Sequence, residues 1–557
     1  MELIEQQKAP PASGRCWKPV VVLLLVLGLY LVAGVFDHSV WSPTEPAVAG
    51  VVWNMFTHGD LAVPRIHDFP YFEKPPLCYW ISYGFCRAAG RLDDGLLRLP
   101  SALYGLLCLA LVYWVGKRRY GPDASLATVL LAATGLSFYE LSHRACSDML
   151  ATTFAFACLA LFVRTLPRDA ISCRRIWLYD LLFALVLAAS FYAKNFYTYL
   201  IVLPPVGLFL VWRRQFLRLV VLGMLVTVFT ALLIAPWVAA LYRSGGMDYL
   251  RVVFLDNTIG RFFDLGDIHN PMVTPLNDAY IVEKEKSPFF YLEALANISL
   301  PWIFVYAAAI VALFRRRTTR DDYRFFLQLA LIAIPAVLSL SSSRVLEYLM
   351  PVLFILFLTA GEYLAPWLSA RRALPTWERR LLTLNAVLVG AVLATAPVAS
   401  AVLTQRLSAA LWTLPAALFL VFLFRRFRRE PRDLVFGFLG FTAVMLLISL
   451  TYLMPYLDRQ KSYRYFFDAI RSDAQTRELY TTFCDDRRLP LISYYLNQRV
   501  PIVSEKELTA LAASGRRIGL ILPLNLYERK REQLERIPHT IIENPDGKTA
   551  FIYVGVP

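Results

Sequence analysis

The chain is poor in charge and lacks most marks of soluble chemistry. Only 18% of its 557 residues are Asp, Glu, Lys or Arg, while 57% are apolar. A balance this oily excludes an ordinary soluble globule and is that of a polytopic membrane protein. The eight cysteines occur singly, with no CxxC pair, which gives no zinc cluster and no disulfide framework. There is no P-loop and no GxGxxG, so no soluble-nucleotide signature. No internal repeat and no long low-complexity linker is visible. The net charge of +15 needs no nucleic acid, because arginines between the apolar runs account for it.

A membrane span needs ~20 mostly apolar residues. The candidate spans are 19–36, 96–115, 124–141, 148–165, 177–193, 196–212, 217–241, 289–313, 324–341, 346–366, 381–403, 409–424 and 434–454. The first follows Lys8, Arg15 and Lys18 and lacks a small-residue cleavage site, so it reads as a retained span rather than a removed signal. Residues 75–90, PPLCYWISYGFCRAAG, are the doubtful segment, being short, proline-led and carrying Arg87.

Loop charge decides that case. With 75–90 on the surface, the basic loops KRRYG (117–121), RTLPRDAISCRR (164–175), RRQFLR (213–218), RRRTTRDDYR (315–324), RRALPTWERR (371–380) and RRFRREPR (425–432) all fall on the N-terminal side. Short cytoplasmic loops are the ones enriched in Lys and Arg. The N-terminus is therefore expected in the cytoplasm, with 75–90 an interfacial helix. The expected fold is an all-α polytopic membrane protein of about 13 transmembrane helices over residues 1–455. Its large outer loops are 37–95 and 242–288. The tail, 456–557, alternates apolar runs such as RIGLILPL and AFIYVGV with the polar stretch NLYERKREQLER, and PDG (545–547) marks a turn. A small α/β domain on the outer surface is expected there.

This topology gathers the unusual polar residues on one side of the membrane. Glu73 and Lys74 lie in PYFEKPPLCYW, between aromatics and prolines. They read either as a snorkelling pair at headgroup level or as a metal or acid/base group beside a phosphate contact. Asp256 and Arg261 lie in FLDNTIGRFFD, and a guanidinium near headgroups can grip two phosphate oxygens. Asp148 opens a span in HRACSDML, where a bare helix cap would also explain it. Lys194, Arg344 and Tyr348 stand at the outer boundary in AKNFY and SRVLEYLMP. Each alone reads as an interface anchor. Together with Lys74 and Arg261 they would make a cationic pocket for an anionic head on an apolar tail, the shape of a polyprenyl phosphate.

The stretch SPTEPAVAGVVWNMFTHGDLAVPRIHDFPYFEKPPLCYW resembles the first outer loop of the bacterial aminoarabinose transferases that modify lipid A, and of the wider protein O-mannosyltransferase-like group. The matching positions are Glu45, Gly59-Asp60, Tyr71-Phe72-Glu73-Lys74-Pro75 and Tyr79-Trp80. The resemblance continues through Asp148, Lys194, the Arg261 loop, Pro301-Trp302, and Arg344 with Tyr348 and Pro351. It implies a C-type integral membrane glycosyltransferase of the inner membrane with an undecaprenyl-phosphate sugar as donor. It gives Glu73 a metal-ligand role. Asp256 stands where the family has a histidine, so a divalent metal is implied at that pair. Lys74, Arg261, Tyr348, Lys194 and Arg344 would hold the lipid phosphate. Asp148 matches an aspartate near the family's active site.

One position departs from the pattern. The family's acidic pair is Thr44-Glu45 here. The absent aspartate is the usual candidate for the base that deprotonates the acceptor, and a threonine hydroxyl cannot replace it near neutral pH. Glu45 and Asp148 are the remaining candidates for that catalytic role. Alternatively, the acceptor is already ionised, as a phosphate of lipid A would be. The expected function is sugar transfer to a lipid or glycan acceptor, lipid A first, at the outer face of the inner membrane. A lipid-linked sugar transporter and a silent polyprenyl-phosphate-binding relative are the rivals. The first should show mid-membrane charges and paired halves, which are not evident, and Thr44 is the feature that favours the second.

Overall fold

The computed structural model describes residues 17–166, 172–260, 287, 289–315, 321–341, 344–369, 376–405, 407–427, 431–483, 485–536, 539–543 and 551–556. Helices dominate. Among the described residues seven are long and apolar enough to cross a membrane, and two bent helix pairs raise the number to nine. Lys18–Val32, Tyr197–Trp212 and Val352–Leu368 are shorter apolar helices. One bent pair, Phe290–Ile298 with Ile303–Arg315, turns by 116°.

The doubtful segment forms the helix Leu77–Ala89, 13 residues long. At 1.5 Å per residue it extends about 20 Å, short of the ~30 Å hydrocarbon core. It buries Cys78, Tyr79, Ser82 and Cys86, and ends at Gly90, whose φ of 67° needs no Cβ. Ahead of it, Pro46 opens the helix Glu45–His58 and Gly59 closes it at φ 77°. The Asp60 carboxylate then accepts from the amides of Ala62 and Val63, which pins the turn. The indoles of Trp80 and Trp237 donate to the carbonyls of Leu61 and Ala62. Gly59, Asp60 and Trp80 thus shape this loop.

The tail carries a four-stranded sheet in the order Glu478–Thr481, Ile518–Leu522, Ile552–Val556, Thr540–Glu543. The first pair is parallel and the other two antiparallel. The helices Glu505–Ala512 and Leu524–Leu534 close a core on this sheet, with Leu508, Leu526 and Leu534 against Ile518, Leu520 and Ile552, whereas its other helices bury against the first loop. Phe466, Phe467, Leu489, Leu491 and Ile492 share one buried cluster with Val51, Val52, Trp53 and Tyr79 of the first loop. Polar contacts join the same surfaces: Tyr495 accepts from the Val40 amide, and the Trp53 indole donates to Asn497.

Candidate functional site

Residues far apart in sequence meet where the first loop, the helix starts and the tail converge. Lys74 Nζ lies 2.7 Å from Glu73 Oε1, and both side chains are largely buried. The Tyr71 hydroxyl donates to the other Glu73 oxygen, Oε2, and lies 3.3 Å from Asp486 Oδ2 of the tail. One phenolic proton therefore faces two carboxylates. Burial first, and then the nearby charges of Glu73 and Asp486, push the Tyr71 hydroxyl well above its ordinary value, so it stays a neutral donor.

Asp148 stands in the first turn of the helix Ser147–Thr165, whose N-cap, Cys146, makes no side-chain cap bond. The Asp148 carboxylate instead pairs with the Lys194 ammonium at the end of the helix Cys173–Lys194. Lys74 also acts on Asp148 through its charge. Lys194 Nζ lies 4.1 Å from the centre of the Tyr348 ring and 4.7 Å from that of Tyr197, within cation–π range. The Tyr197 hydroxyl donates to the Tyr348 carbonyl at 2.9 Å. The ion pair beneath two aromatic faces explains why Lys194 can be only 7% exposed.

Glu45 is held differently. It is 2% exposed, and its two oxygens accept from Arg98 Nε and Nη2 and from the amides of Trp41 and Ala145, at 2.7–2.9 Å. Burial would raise its pKa, but the charge and hydrogen bonds of Arg98 outweigh it and hold the carboxyl below its ordinary value. With four donors on a carboxylate that offers about four lone-pair sites, Glu45 cannot take a proton without loosening Arg98. The expectation of a base at Glu45 gives way to a holding contact. Through Ala145 it fixes the chain three residues before Asp148. The Thr44 hydroxyl is buried with no hydrogen-bond partner.

The other expected residues divide. Asp256 lies in the π-helical segment Val252–Gly260, whose next residue reaches the first loop: Asn257 Nδ2 donates to the Phe72 carbonyl at 2.9 Å. Arg344 donates to the carbonyls of Ser287 and Ser339. Arg261 lies outside the described residues. Among the described residues no group of three or more His, Cys, Asp or Glu side chains is placed to hold a metal ion. Glu73 carries Lys74 and Tyr71 on its two oxygens. As arranged, this donor set does not fit a metal.

Three contributors gave no signal in the sequence. Arg98 looked like one charge inside a span, and Asp458 and Asp486 looked like ordinary charges near or in the tail. Asp458 accepts from the Ser39 amide, the Ser39 hydroxyl and the Trp41 indole. Arg144 lies in HRACSDML, four residues before Asp148. It bridges to Glu347, beside Tyr348, at 3.1 Å.

Residues 73–239 match the family model described as dolichyl-phosphate-mannose-protein mannosyltransferase. The chain is 29% identical over 371 residues to undecaprenyl phosphate-alpha-4-amino-4-deoxy-L-arabinose arabinosyl transferase 1 of Pseudomonas fluorescens, covering 66% of this chain and 62% of that protein. It is 28% identical over 370 residues to the corresponding transferase of Pseudomonas aeruginosa, covering 66% and 63%. The matched stretch thus spans less than two thirds of either relative. The crystal structure of ArnT from Cupriavidus metallidurans bound to undecaprenyl phosphate superimposes with a TM-score of 0.75 at 17% identity, covering 97% of this chain and 98% of that one.

Proposed function

We propose that this chain, a relative of the aminoarabinose transferases and of the protein O-mannosyltransferase-like group in sequence and in fold, is an integral membrane glycosyltransferase. It moves a sugar from undecaprenyl phosphate to a lipid acceptor, lipid A first, at the outer face of the inner membrane. The sugar to test first is 4-amino-4-deoxy-L-arabinose, for which its relatives are named. The reading includes thirteen spans, a cytoplasmic N-terminus, an outer active site and an outer α/β tail. The observation that carries it is the Glu73–Lys74 ion pair within electrostatic reach of the Asp148–Lys194 ion pair, whose ammonium faces the Tyr348 ring.

In this reading Lys74, Lys194 and Tyr348 receive the lipid phosphate, and Arg344 and Arg261, the latter outside the described residues, are the further candidates for it. An acceptor oxygen attacks the anomeric carbon. The bond from that carbon to the donor phosphate oxygen breaks, and the phosphate leaves with the bonding electrons. Fixed ammonium groups stabilise the charge it gains, and in a water-poor site such stabilisation is often the largest contribution. Glu73 aims Lys74, and Asp148 aims Lys194. Thr44 offers no base and Glu45 is saturated. We therefore infer that the acceptor oxygen belongs to a phosphate already ionised, which has no proton to lose. Asp148 would take the proton from a hydroxyl acceptor.

No step is placed on a metal. A divalent ion at Glu73 and Asp256 would require Lys74 and Tyr71 to give way. Elemental mass spectrometry of the purified protein, wild type beside Glu73→Ala, decides whether one is carried.

The test of the function uses purified protein in detergent, radiolabelled undecaprenyl-phosphate sugars and lipid A with or without its phosphates. Label is expected to move to phosphorylated lipid A with wild type and not with Glu73→Ala. Label that binds but never moves, across sugars and acceptors, would replace the transferase with a silent binding protein.

A further inference from the structure

A second polar site lies at the far end of the helix bundle. The helix Ser147–Thr165 carries Asp148 in its first turn and reaches Arg164 sixteen residues later, about 24 Å along the helix. There an open cleft is lined by Arg118, Arg119 and Arg164, with Tyr323, Val115 and Leu166. Arg119 is already held: its Nη2 lies 2.8 and 2.6 Å from the two Asp321 oxygens, and its guanidinium sits 4.2 Å from the Tyr323 ring centre. The remaining capacity lies elsewhere. Arg164 Nε and the Tyr323 hydroxyl are buried atoms with no hydrogen-bond partner. Tyr323 as a whole is 2% exposed. Buried donors are almost always satisfied, and here two converge on one cationic cleft.

We propose that this cleft binds a phosphate group, and that its source is the headgroup of an anionic membrane phospholipid. Guanidinium and hydroxyl donors suit phosphate oxygens. Basic pockets between transmembrane helices take anionic headgroups. Three observations favour a lipid over free phosphate. Val115 and Leu166 give the cleft an apolar wall. Trp114, whose ring lies 4.5 Å from the Arg164 guanidinium, is 37% exposed. Trp177, near the start of its helix, and Trp212, at the end of its own, are also exposed, at 57% and 66%, on the side of the bundle where Ser147–Thr165 ends. Exposed tryptophans mark the depth at which headgroups lie. The inference does not depend on the transferase reading.

The experiment uses delipidated full-length protein in neutral detergent and records thermal melting and native mass spectra. The probes are phosphatidylglycerol, phosphatidylcholine and inorganic phosphate. Phosphatidylglycerol is expected to raise the melting temperature and leave a bound adduct, with phosphatidylcholine weaker. Arg164→Gln and Tyr323→Phe should each weaken phosphatidylglycerol binding roughly tenfold, the scale of one hydrogen bond to a charged group. Arg164→Lys should fall between. Tyr323→Phe removes a hydroxyl that has no protein partner, so it should fold and melt no lower than wild type without lipid. It therefore decides the matter if Arg164→Gln does not fold. Stabilisation by inorganic phosphate alone, lost in both variants, would keep the phosphate chemistry and overturn the lipid source. Equal binding of every probe by wild type and Tyr323→Phe would overturn the site.

Discussion

Asp148 and Lys194 allow structural and chemical roles to be separated by substitution. Asp148→Asn leaves a buried ammonium without its partner, which costs about 3–5 kcal/mol, so the detergent melting temperature should fall sharply. Adding Lys194→Met removes the stranded charge and should restore most of the melting temperature. Transfer should stay lost in the double variant, and its recovery there would reduce the pair to a structural contact. Glu45 makes a pH prediction. Its folded-state pKa lies below its ordinary value of 4.5, so its stabilising contribution is complete above about that pH and fades as pH falls through the folded value. Melting curves from pH 7 to pH 3 should show this acid-sensitive component in wild type and not in Glu45→Gln. That variant should already melt lower at pH 7, because Arg98 keeps its charge in a fully buried position.

At the level of elements, the apolar runs were readable because a spanning helix must satisfy its own backbone, and that demand writes long hydrophobic segments. All thirteen expected segments fall on helical elements, although among the described residues seven helices, or nine with the bent pairs, are long and apolar enough to cross a membrane. The bent pairs account for part of the difference, since a break at Thr134 or Pro301 leaves no mark in a hydropathy average. Lys74, Asp148, Lys194 and Tyr348 were legible through motif order. Arg98, Asp458 and Asp486 were not, because pairing across hundreds of residues gives a lone charge no local pattern. The helix Leu77–Ala89 carries its own prediction. A charge at Cys86, which is fully buried, should lower the melting temperature, whereas one at exposed Ala88 or Ala89 should leave it nearly unchanged. Equal losses at the three positions would remove the one-sided packing assigned to this helix.

For the whole molecule, orientation can be read from a native thiol. Cys173 is exposed at the arginine-rich end, whereas Cys78, Cys86, Cys108, Cys146 and Cys158 are buried. With Cys16 and Cys484 changed to serine, a membrane-impermeant maleimide should label inverted vesicles and spare intact spheroplasts. The reverse pattern would turn the proposed topology over. The buried cluster shared by the tail and the first loop has a consequence in time. Tyr71 and Asp486 touch across 415 residues of sequence. At 5–20 residues per second, roughly 20–80 s of synthesis separate them. Through that interval the helix Glu45–His58 waits with its apolar face uncovered, and the surroundings of Glu73 are incomplete. A ribosome that stops early would therefore release a chain with an unfinished candidate site and an exposed greasy flank, which proteolytic surveillance can recognise. Completion of the polypeptide thus acts as the licence for a finished site.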